Sequence, residues 1–423
     1  MLSTRLGLPH VKGATCFMIA AFIDTLGTGM FAPFSLLYFQ VKAGIPLPRI
    51  GLALSTAMLA TLLIIPLTGV LVDHIRAKRV VLFAQILQRL GFLGYLLVTN
   101  FMMLVGFAVL VTSGLSMFWS AYFTLVADIA ALDERDRWYG LVGALRASGI
   151  GLGSLLAGFA VALTARNGYI LVVLFNGLSF FVAAALVLFG VRESPRHQSH
   201  MQTGGYRAVV RDRPFLLLIA ANTCFALCSN FIYLAVPLYF TVTLKMPIWF
   251  VGTALAFNTI VIATMQTMMV RWLEPFRRTR GLIMAGGFWC MWCIASILTV
   301  FIPPVFRLPS LLVVVCLYSV AQLIHTPTSN ALAAGSSPEA LRGRYLALYQ
   351  YSYFLANIVG PSLFALLFVM QPSFPWLVIA AIAVVGSLII YRIESRLPDQ
   401  AVQTGSPVSK LVAISTPDEV PGT

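Results

Sequence analysis

Ionisable side chains lie inside several long apolar stretches of the sequence, where a charge is costly. Asp24 lies about ten residues into the first stretch, roughly 15 Å along a helix. A carboxylate at that depth in a membrane costs several kcal/mol unless it is paired, hydrated or protonated. Its charge state therefore depends on its surroundings, as a proton or cation site requires. We expect Asp24 to bind and release a proton; a hydrogen-bonded structural acid is the alternative.

Three basic side chains lie in similar apolar stretches. Arg89 lies about as deep as Asp24, so an ion pair between them is compatible in depth, with snorkelling or structural pairing as the alternative. His325 has an unperturbed pKa near neutrality and could take part in proton movement; a hydrogen-bonded structural histidine is the alternative. Arg146 lies nearer one end of its stretch and is expected to snorkel or anchor. Asp24, His325 and Arg89 are the predicted coupling residues for proton and substrate.

The composition indicates that these residues belong to a membrane protein. Hydrophobic residues make up 59% of the 423 residues and charged residues 10%, whereas soluble domains carry about a quarter charged residues. A crossing needs roughly 20 apolar residues, so the chain has room for about twelve and is expected to be all-α. The predicted helices are 14–39, 49–72, 79–99, 101–129, 138–164, 168–191, 215–243, 248–273, 280–302, 308–333, 343–369 and 374–393.

The two halves of the sequence resemble each other at an offset near 200 residues. Ile45-Pro46 and Ile50-Gly51 recur as Met246-Pro247 and Val251-Gly252, and the basic turn at 71–82 recurs at 272–283. Internal repeats of this kind are typical of secondary transporters, whose two facing bundles enclose a central site. The predicted units are an N-terminal six-helix bundle, a cytoplasmic linker, a C-terminal six-helix bundle and a disordered tail, at 1–191, 192–213, 214–393 and 394–423.

The charge distribution gives an orientation and excludes other classes. The net charge is +14, but Lys and Arg gather in the loops of one face by about four to one, which predicts that both termini and the central linker are cytoplasmic. Basic arms with interleaved aromatics, typical of nucleic-acid binders, are absent. So are the sequence patterns of phosphate-binding loops, zinc hydrolases and serine hydrolases. The six cysteines, including Cys290 and Cys293, are interpreted as packing residues, and no metal or cofactor is expected.

A charged motif follows the second predicted helix. Its residues are Gly69, Asp73, His74, Arg76, Lys78 and Arg79, and Asp128 ends the fourth helix. This turn resembles the G-x-x-x-D-R-x-G-R-R/K motif of the major facilitator superfamily, over a resemblance that covers roughly residues 14–393. It implies a cytoplasmic latch, in which fixed charges pair with carboxylates at neighbouring helix ends in one conformation. His74, Arg76 and Ala77 depart from the pattern, and a plain basic loop is the alternative.

The fifth predicted helix carries a stripe of small residues. The stripe consists of Gly140, Gly149, Gly153, Ser154, Ala157 and Gly158. It is similar to the family's antiporter motif, G-x8-G-x3-G-P-x2-G-G, with Ser154 in place of Pro and Ala157 in place of Gly. Small residues on one face let helices approach closely and bend, as two rocking bundles require. The resemblance favours export.

The first helix is similar to that of twelve-helix drug–proton antiporters, through Asp24, Gly27, Gly29 and Pro33. Two positions depart from that type. Leu110 stands where the fourth helix often has an Arg before a Gly, and Leu36 stands where the first helix has a second Pro. The resemblance implies a proton-coupled antiporter that alternates access around a cavity near the middle of the membrane.

Aromatic and amide side chains recur on the helices that line the cavity in this family. Their stacking and cation–π contacts would suit flat, lipophilic or weakly cationic substrates, although aromatics are also ordinary on lipid-facing helices. The predicted cavity residues are Trp119, Tyr122, Phe123, Tyr233, Asn258, Asn330, Tyr349 and Tyr353.

Together these features predict a secondary transporter for proton-coupled efflux of small organic molecules, and not an enzyme. An uptake symporter or uniporter of the same fold is one alternative, and a non-transporting membrane receptor or scaffold is another. The expected partners are a small-molecule substrate, protons and the lipid bilayer, with no nucleic acid. We expect a monomeric, multi-pass protein of the plasma (inner) membrane.

Overall fold

The computed structural model describes most of the chain. The described residues are 14–62, 64, 68, 71, 77–129, 135–164, 166–190, 206–338 and 341–403. Helices account for nearly all of them, and these ranges contain no strand. The predicted all-α fold is confirmed.

Six long helices form the first half, and their order follows the apolar stretches. α1 runs through a 3-10 turn at Ala32–Phe34, so that it consists of Ala14–Phe31 and Ser35–Ala43. The others are α2 (Leu47–Thr61), α3 (Ala77–Tyr95), α4 (Phe101–Ile129), α5 (Arg135–Thr164) and α6 (Arg166–Gly190).

Six further helices form the second half, after a short helix at Tyr206–Arg211 within the predicted linker. They are α7 (Arg213–Leu238), α8 (Ile248–Leu273), α9 (Arg278–Leu298), α10 (Pro304–Gly335), α11 (Arg342–Met370) and α12 (Phe374–Ile393). Asp212 caps the first of them, because its side chain accepts a hydrogen bond from the backbone N–H of Phe215 at 3.1 Å.

Within the described residues, ten helices are long and apolar enough to cross a membrane. The two long helices that fall outside this set are α2 and α3. The described part of α2 is only 15 residues long, and α3 carries Lys78, Arg79 and Arg89 along its length.

The sequence repeat corresponds to a repeated turn. Gly44 ends α1 in the left-handed conformation at φ 63°, and Lys245, before α8, adopts nearly the same angle at φ 58°. Pro46 and Pro247 then begin α2 and α8 with almost identical backbone angles. Left-handed backbone is unfavourable for residues with a Cβ, so its use at both positions indicates that the turn geometry is common to the two halves.

The helices pack as two groups of six. α1 packs on α5 and α6, and α3 packs on α4 and α6, while in the second half α9 packs on α10 and α12, and α7 on α11 and α12. The main contacts between the halves are those of α5 with α8 and of α2 with α11, and we call these two contacts the seam. The 3-10 turn and the second segment of α1 also make a smaller contact with α7.

The segment after α12 corrects the predicted tail boundary. Residues expected to be disordered from 394 instead form a 3-10 turn at Glu394–Arg396 and a short helix at Asp399–Val402. Arg277 forms an ion pair with Glu394, and Arg278 Nη1 donates to the Ala401 carbonyl at 2.8 Å. These cations at the start of α9 hold the segment against the second half; residues 404–423 lie outside the described part.

Candidate transport site

Asp24 lies inside the first half, away from the lipid. Only 8% of its surface is exposed, and its Oδ1 has no hydrogen-bond partner among the described residues. It lines a small cavity of about 10 Å³ together with Gln85 of α3 and Phe118 of α4. A buried carboxyl oxygen without a donor is unfavourable unless a proton or water reaches it. The role of Asp24 as a proton site stays a prediction.

The glycine stripe of α5 sets the position of α1. A Cβ on Gly153 would lie 2.2 Å from the Leu26 carbonyl oxygen, and a Cβ on Gly149 would lie 2.3 Å from Thr25 Oγ1. Ser154 Oγ donates to the Gly29 carbonyl at 3.0 Å. Because the stripe packs tightly against the turn that directly follows Asp24, any shift of that turn is transmitted to α5. The structure describes only the backbone of Gly140.

Arg146 of α5 is the functional candidate whose position the sequence reasoning missed. It does not snorkel: its guanidinium carbon lies 3.7 Å from the centre of the Trp119 ring on α4. Its charge also acts on Asp24 and on Tyr233 of α7 in the other half. The spacing along α5 could have indicated this position. Arg146 lies three residues before Gly149 and seven before Gly153, so all three residues lie on one face of the helix.

The contact between Arg146 and Trp119 is expected to stabilise the fold. In a double-mutant cycle of Arg146→Gln and Trp119→Leu, we expect a coupling free energy of roughly 1 kcal/mol, because the guanidinium lies over the ring face and both side chains are partly buried. Thermal unfolding of the purified protein measures it. The matched cycle uses Arg89 and the half-exposed Phe181, and a larger coupling there would contradict the assignment.

The seam is built on equivalent contacts in the two repeats. A Cβ on Gly252 of α8 would lie 2.3 Å from the Ser154 carbonyl oxygen of α5. In the other helix pair, a Cβ on Gly51 of α2 would lie 2.5 Å from the Pro361 carbonyl oxygen of α11. Gly51 and Gly252 are the two positions that repeat in the sequence, so the repeat places a glycine at each crossing.

Further small residues extend both seam contacts. A Cβ on Gly158 would lie 3.1 Å from the Gly252 Cα, and one on Gly151 would lie 2.7 Å from the Thr259 side chain. Between α2 and α11, Ser362 Oγ donates to Ser55 Oγ at 2.8 Å. The predicted antiporter-like stripe therefore has two roles, since Gly149 and Gly153 face α1 while Gly158 faces the other half.

His325 lies in the core of the second half, completely buried. Its Nε2 lies 3.0 Å from Asn222 Oδ1 of α7, and Asn222 Nδ2 donates to Ser352 Oγ of α11 at 2.6 Å. The ring also packs between Phe225 and Trp289. The Nε2 contact is that of a hydrogen-bonded structural histidine, whereas the buried Nδ1 has no hydrogen-bond partner among the described residues. The participation of His325 in proton movement stays a prediction.

Removal of the central amide tests that assignment. We expect Asn222→Ala to lower the free energy of unfolding by about 1–3 kcal/mol, because it leaves the buried His325 Nε2 without its partner and removes the donor to Ser352, whose hydroxyl keeps its bond to the Tyr349 carbonyl. Thermal unfolding in detergent measures the loss. Asn230→Ala, which removes the partly buried hydrogen bond to Asn357, serves as the control; an equal or larger loss in that variant would contradict the prediction.

Arg89 does not pair with Asp24 in the described structure. Its guanidinium carbon instead lies 4.3 Å from the centre of the Phe181 ring on α6, and about half of Phe181 is exposed. The ion pair that the depth of the two residues allowed is therefore absent here. The contact of Arg89 with Phe181 is typical of a cation that supports helix packing near the surface.

Most of the predicted cytoplasmic latch lies outside the described part of the chain. This holds for Gly69, Asp73 and Arg76, and for the side chain of Asp128. Lys78 Nζ donates to the Leu188 carbonyl at the end of α6, at 2.9 Å, and Arg79 is exposed. Lys78 therefore links α3 to α6 in this conformation, and the latch stays a prediction.

The predicted cavity residues divide into several groups. Trp119 and Tyr233 lie near Arg146, as described, and the side chains of Tyr122 and Phe123 lie outside the described part. Asn258 accepts from Ser319 Oγ at 2.8 Å, and Tyr349 is 1% exposed, so both are packed in the core in this conformation. Tyr353 is half-buried and Asn330 is exposed.

Comparison with known proteins decides the family. The model of the Major Facilitator Superfamily matches residues 17–361 and 250–416. The chain belongs to the major facilitator superfamily. Proteins of this superfamily are transporters, so the chain is a membrane transporter and not an enzyme. The resemblance inferred from the charged turn and the glycine stripe is confirmed.

Individual relatives are distant. Multidrug resistance protein MdtH of Escherichia coli O157:H7 is 22% identical over 75% of this chain and 78% of its own length. MdtH of Klebsiella pneumoniae is 21% identical over 92% and 96%. Among solved structures, a variant of the nucleoside transporter NupG matches with a TM-score of 0.75 at 12% identity, over 90% of this chain and 99% of that chain. A D-xylose–proton symporter matches at 0.73 and 14%, over 92% and 98%. These structures show the fold.

Proposed function

We propose that this transporter exports small lipophilic or amphipathic organic molecules in exchange for protons. The observation that carries the proposal is Asp24, a buried carboxyl group with an unsatisfied oxygen, on a helix that packs directly against a helix of the seam. The multidrug resistance relatives and the export-type glycine stripe of α5 support the direction of transport.

The proposed coupling runs through α5. When Asp24 is ionised, it attracts the guanidinium of Arg146; when Asp24 is protonated, that attraction is lost. Arg146 and the seam residues Ser154 and Gly158 lie on the same helix, so a change in the pull on Arg146 biases how α5 packs against α8. A ligand or proton shifts a conformational equilibrium only through such differential interactions.

The basic loops support an assignment of the conformation. The seam contacts of Gly51 and Gly252 lie near the turns before α2 and α8, on the face that is poor in Lys and Arg. That face is extracytoplasmic by the positive-inside rule. We therefore propose that the structure is closed toward the outside, that both termini lie in the cytoplasm, and that the charged turn at 69–79 with Asp128 latches the opposite state.

The substrate is proposed to bind between the halves, near Trp119 and Tyr233. Arg146 already covers one face of the Trp119 ring. This feature favours neutral amphipathic molecules over the weakly cationic ones that the aromatic residues alone suggest, since a cation would approach the guanidinium. We propose a monomer in the cytoplasmic (inner) membrane.

Transport in proteoliposomes tests the proposal. A thermal-shift screen of the purified protein against drugs and metabolites first identifies a ligand, because a molecule that binds the folded state raises its stability. That ligand is then followed under an imposed proton gradient. Movement opposite to the proton flow supports export by antiport; movement with the protons, or movement indifferent to them, contradicts it.

A further inference from the structure

The cavity beside Asp24 lies wholly within the first half, between four helices. Asp24 and Phe17 of α1 face Val81 and Gln85 of α3, and Phe118 of α4 and Val187 of α6 complete the wall. Its volume of about 10 Å³ is close to the minimum that one water molecule needs. The seam side of α1 is different, since there the neighbours are α5 and Arg146.

Two acceptor oxygens in this wall lack donors. Asp24 Oδ1 and Gln85 Oε1 are both buried without a hydrogen-bond partner in the described structure, and Gln85 is only 2% exposed. Among the described residues, the other side chains that line the cavity are hydrocarbon and cannot donate a hydrogen bond. A buried acceptor without a donor is destabilising, so two such oxygens on one cavity favour a donor that bonds to both of them.

A proton and one water molecule supply the missing donors. With Asp24 protonated, its O–H donates to the water, and the water donates to Gln85 Oε1. With Asp24 ionised, rotation of the Gln85 amide presents its N–H₂ group to the same water, which then donates to the carboxylate. Through this water, one amide side chain can therefore hydrogen-bond to both charge states of Asp24.

We propose that Gln85 is a positioning residue for the proton of Asp24, and that one water molecule in this cavity joins them. The inference rests on the proposed proton coupling. On uptake, a hydronium ion transfers its proton to Asp24 Oδ1 and becomes water; on release, the same proton returns to water. This cavity lies between α1, α3, α4 and α6, whereas the proposed substrate site near Trp119 and Tyr233 lies between the halves.

Infrared spectroscopy of the reconstituted protein tests this arrangement. The C=O band of protonated Asp24 is identified by its absence in Asp24→Asn. We expect Gln85→Leu to move that band to higher wavenumber, because the acid loses its hydrogen bond. We also expect proton-driven transport to fall about tenfold, the equivalent of one lost hydrogen bond, and its pH profile to change. Counterflow exchange of substrate without a proton gradient should persist.

Two further variants separate this role from a structural one. Gln88→Leu makes the same change on the same helix, at a buried residue that packs against Gly114 of α4, and should leave the band and the pH profile unchanged. Gln85→Asn keeps the amide but withdraws it from the water by one methylene group, so its band position, transport rate and pH profile should lie between those of the wild type and Gln85→Leu; this expected change keeps the test decisive if Gln85→Leu does not fold. If Gln85→Leu folds and keeps the wild-type band and pH profile, the inference is overturned. If only Gln85→Asn folds, a wild-type band and pH profile in that variant overturns it.

The outcome also distinguishes this inference from the function on which it rests. If Asp24→Asn transports like the wild type, the proposed proton coupling is wrong. If Asp24→Asn is inactive while Gln85→Leu keeps the wild-type band and pH profile, only the role of Gln85 is wrong.

Discussion

Asp24→Asn is expected to reduce proton-driven transport to the level of protein-free liposomes while leaving the protein folded and inserted. The asparagine amide is nearly the same size as the carboxyl group and fits the same small cavity, but it cannot bind and release a proton in this pH range. The measurement is substrate flux into or out of proteoliposomes under an imposed pH gradient, with size-exclusion chromatography and thermal unfolding as tests of folding.

Asp399→Asn is the control for this experiment. It removes a carboxylate at an exposed position after α12 and should leave flux within about twofold of the wild type, as expected for a surface substitution. Wild-type flux in Asp24→Asn under the same gradient would refute the assigned role of Asp24.

Gly252→Leu is expected to open the seam and to slow transport by about tenfold to a hundredfold. The first added carbon would lie 2.3 Å from the Ser154 carbonyl oxygen, which is backbone and cannot rotate away. Overpacking of this kind costs about 1–3 kcal/mol, and the cost falls on the closed conformation alone. The population therefore shifts toward conformations in which α5 and α8 are apart.

Spin labels report this shift as a distance. Arg49→Cys at the start of α2 and Gln371→Cys after α11 are exposed, belong to different halves and lie on the same face. With the native cysteines replaced, we expect a longer distance between the labels in Gly252→Leu. Gly287→Leu is the matched control, because a Cβ at Gly287 meets no atom within 4 Å; an equal change in that variant would contradict the seam as the cause.

The sequence alone predicted most of the fold. Twelve helices emerge where apolar stretches of about 20 residues are bounded by charges, Pro and Gly, because a membrane crossing constrains length and composition so strongly. The repeat of Ile45-Pro46 and Gly51 predicted two related halves, and the structure adds that both repeated glycines lie at crossings between them.

The direction of individual side chains was harder to predict. Arg146 was expected to snorkel or anchor because that expectation used its depth and not its helix face; Gly149 and Gly153 share that face and pack on α1. Asp24 and Arg89 lie at similar depth, yet α1 and α3 turn them toward different neighbours. The depth of a residue in the membrane follows from its position along one helix. Whether two residues pair depends on how both helices are rotated about their axes. Hydrophobicity specifies this rotation only weakly when all faces of a helix are apolar.

Polar residues in the cores were missed for a related reason. Gln85 gave no signal in a sequence scan for charged groups, and Asn222 became notable only beside His325. The segment at 394–403 was predicted to be disordered from its Ser- and Pro-rich composition. Its order depends on Arg277 and Arg278, more than a hundred residues away in the chain.

The most direct test of the account is the distance between spin labels at Arg49→Cys and Gln371→Cys as a function of pH, with and without Asp24. We expect acidification to shift the distance distribution of the wild type from one population to another. Asp24→Asn should show the low-pH distribution at every pH, because the asparagine side chain is permanently neutral. A distribution that still follows pH in Asp24→Asn as it does in the wild type would contradict the link between this carboxyl group and the seam.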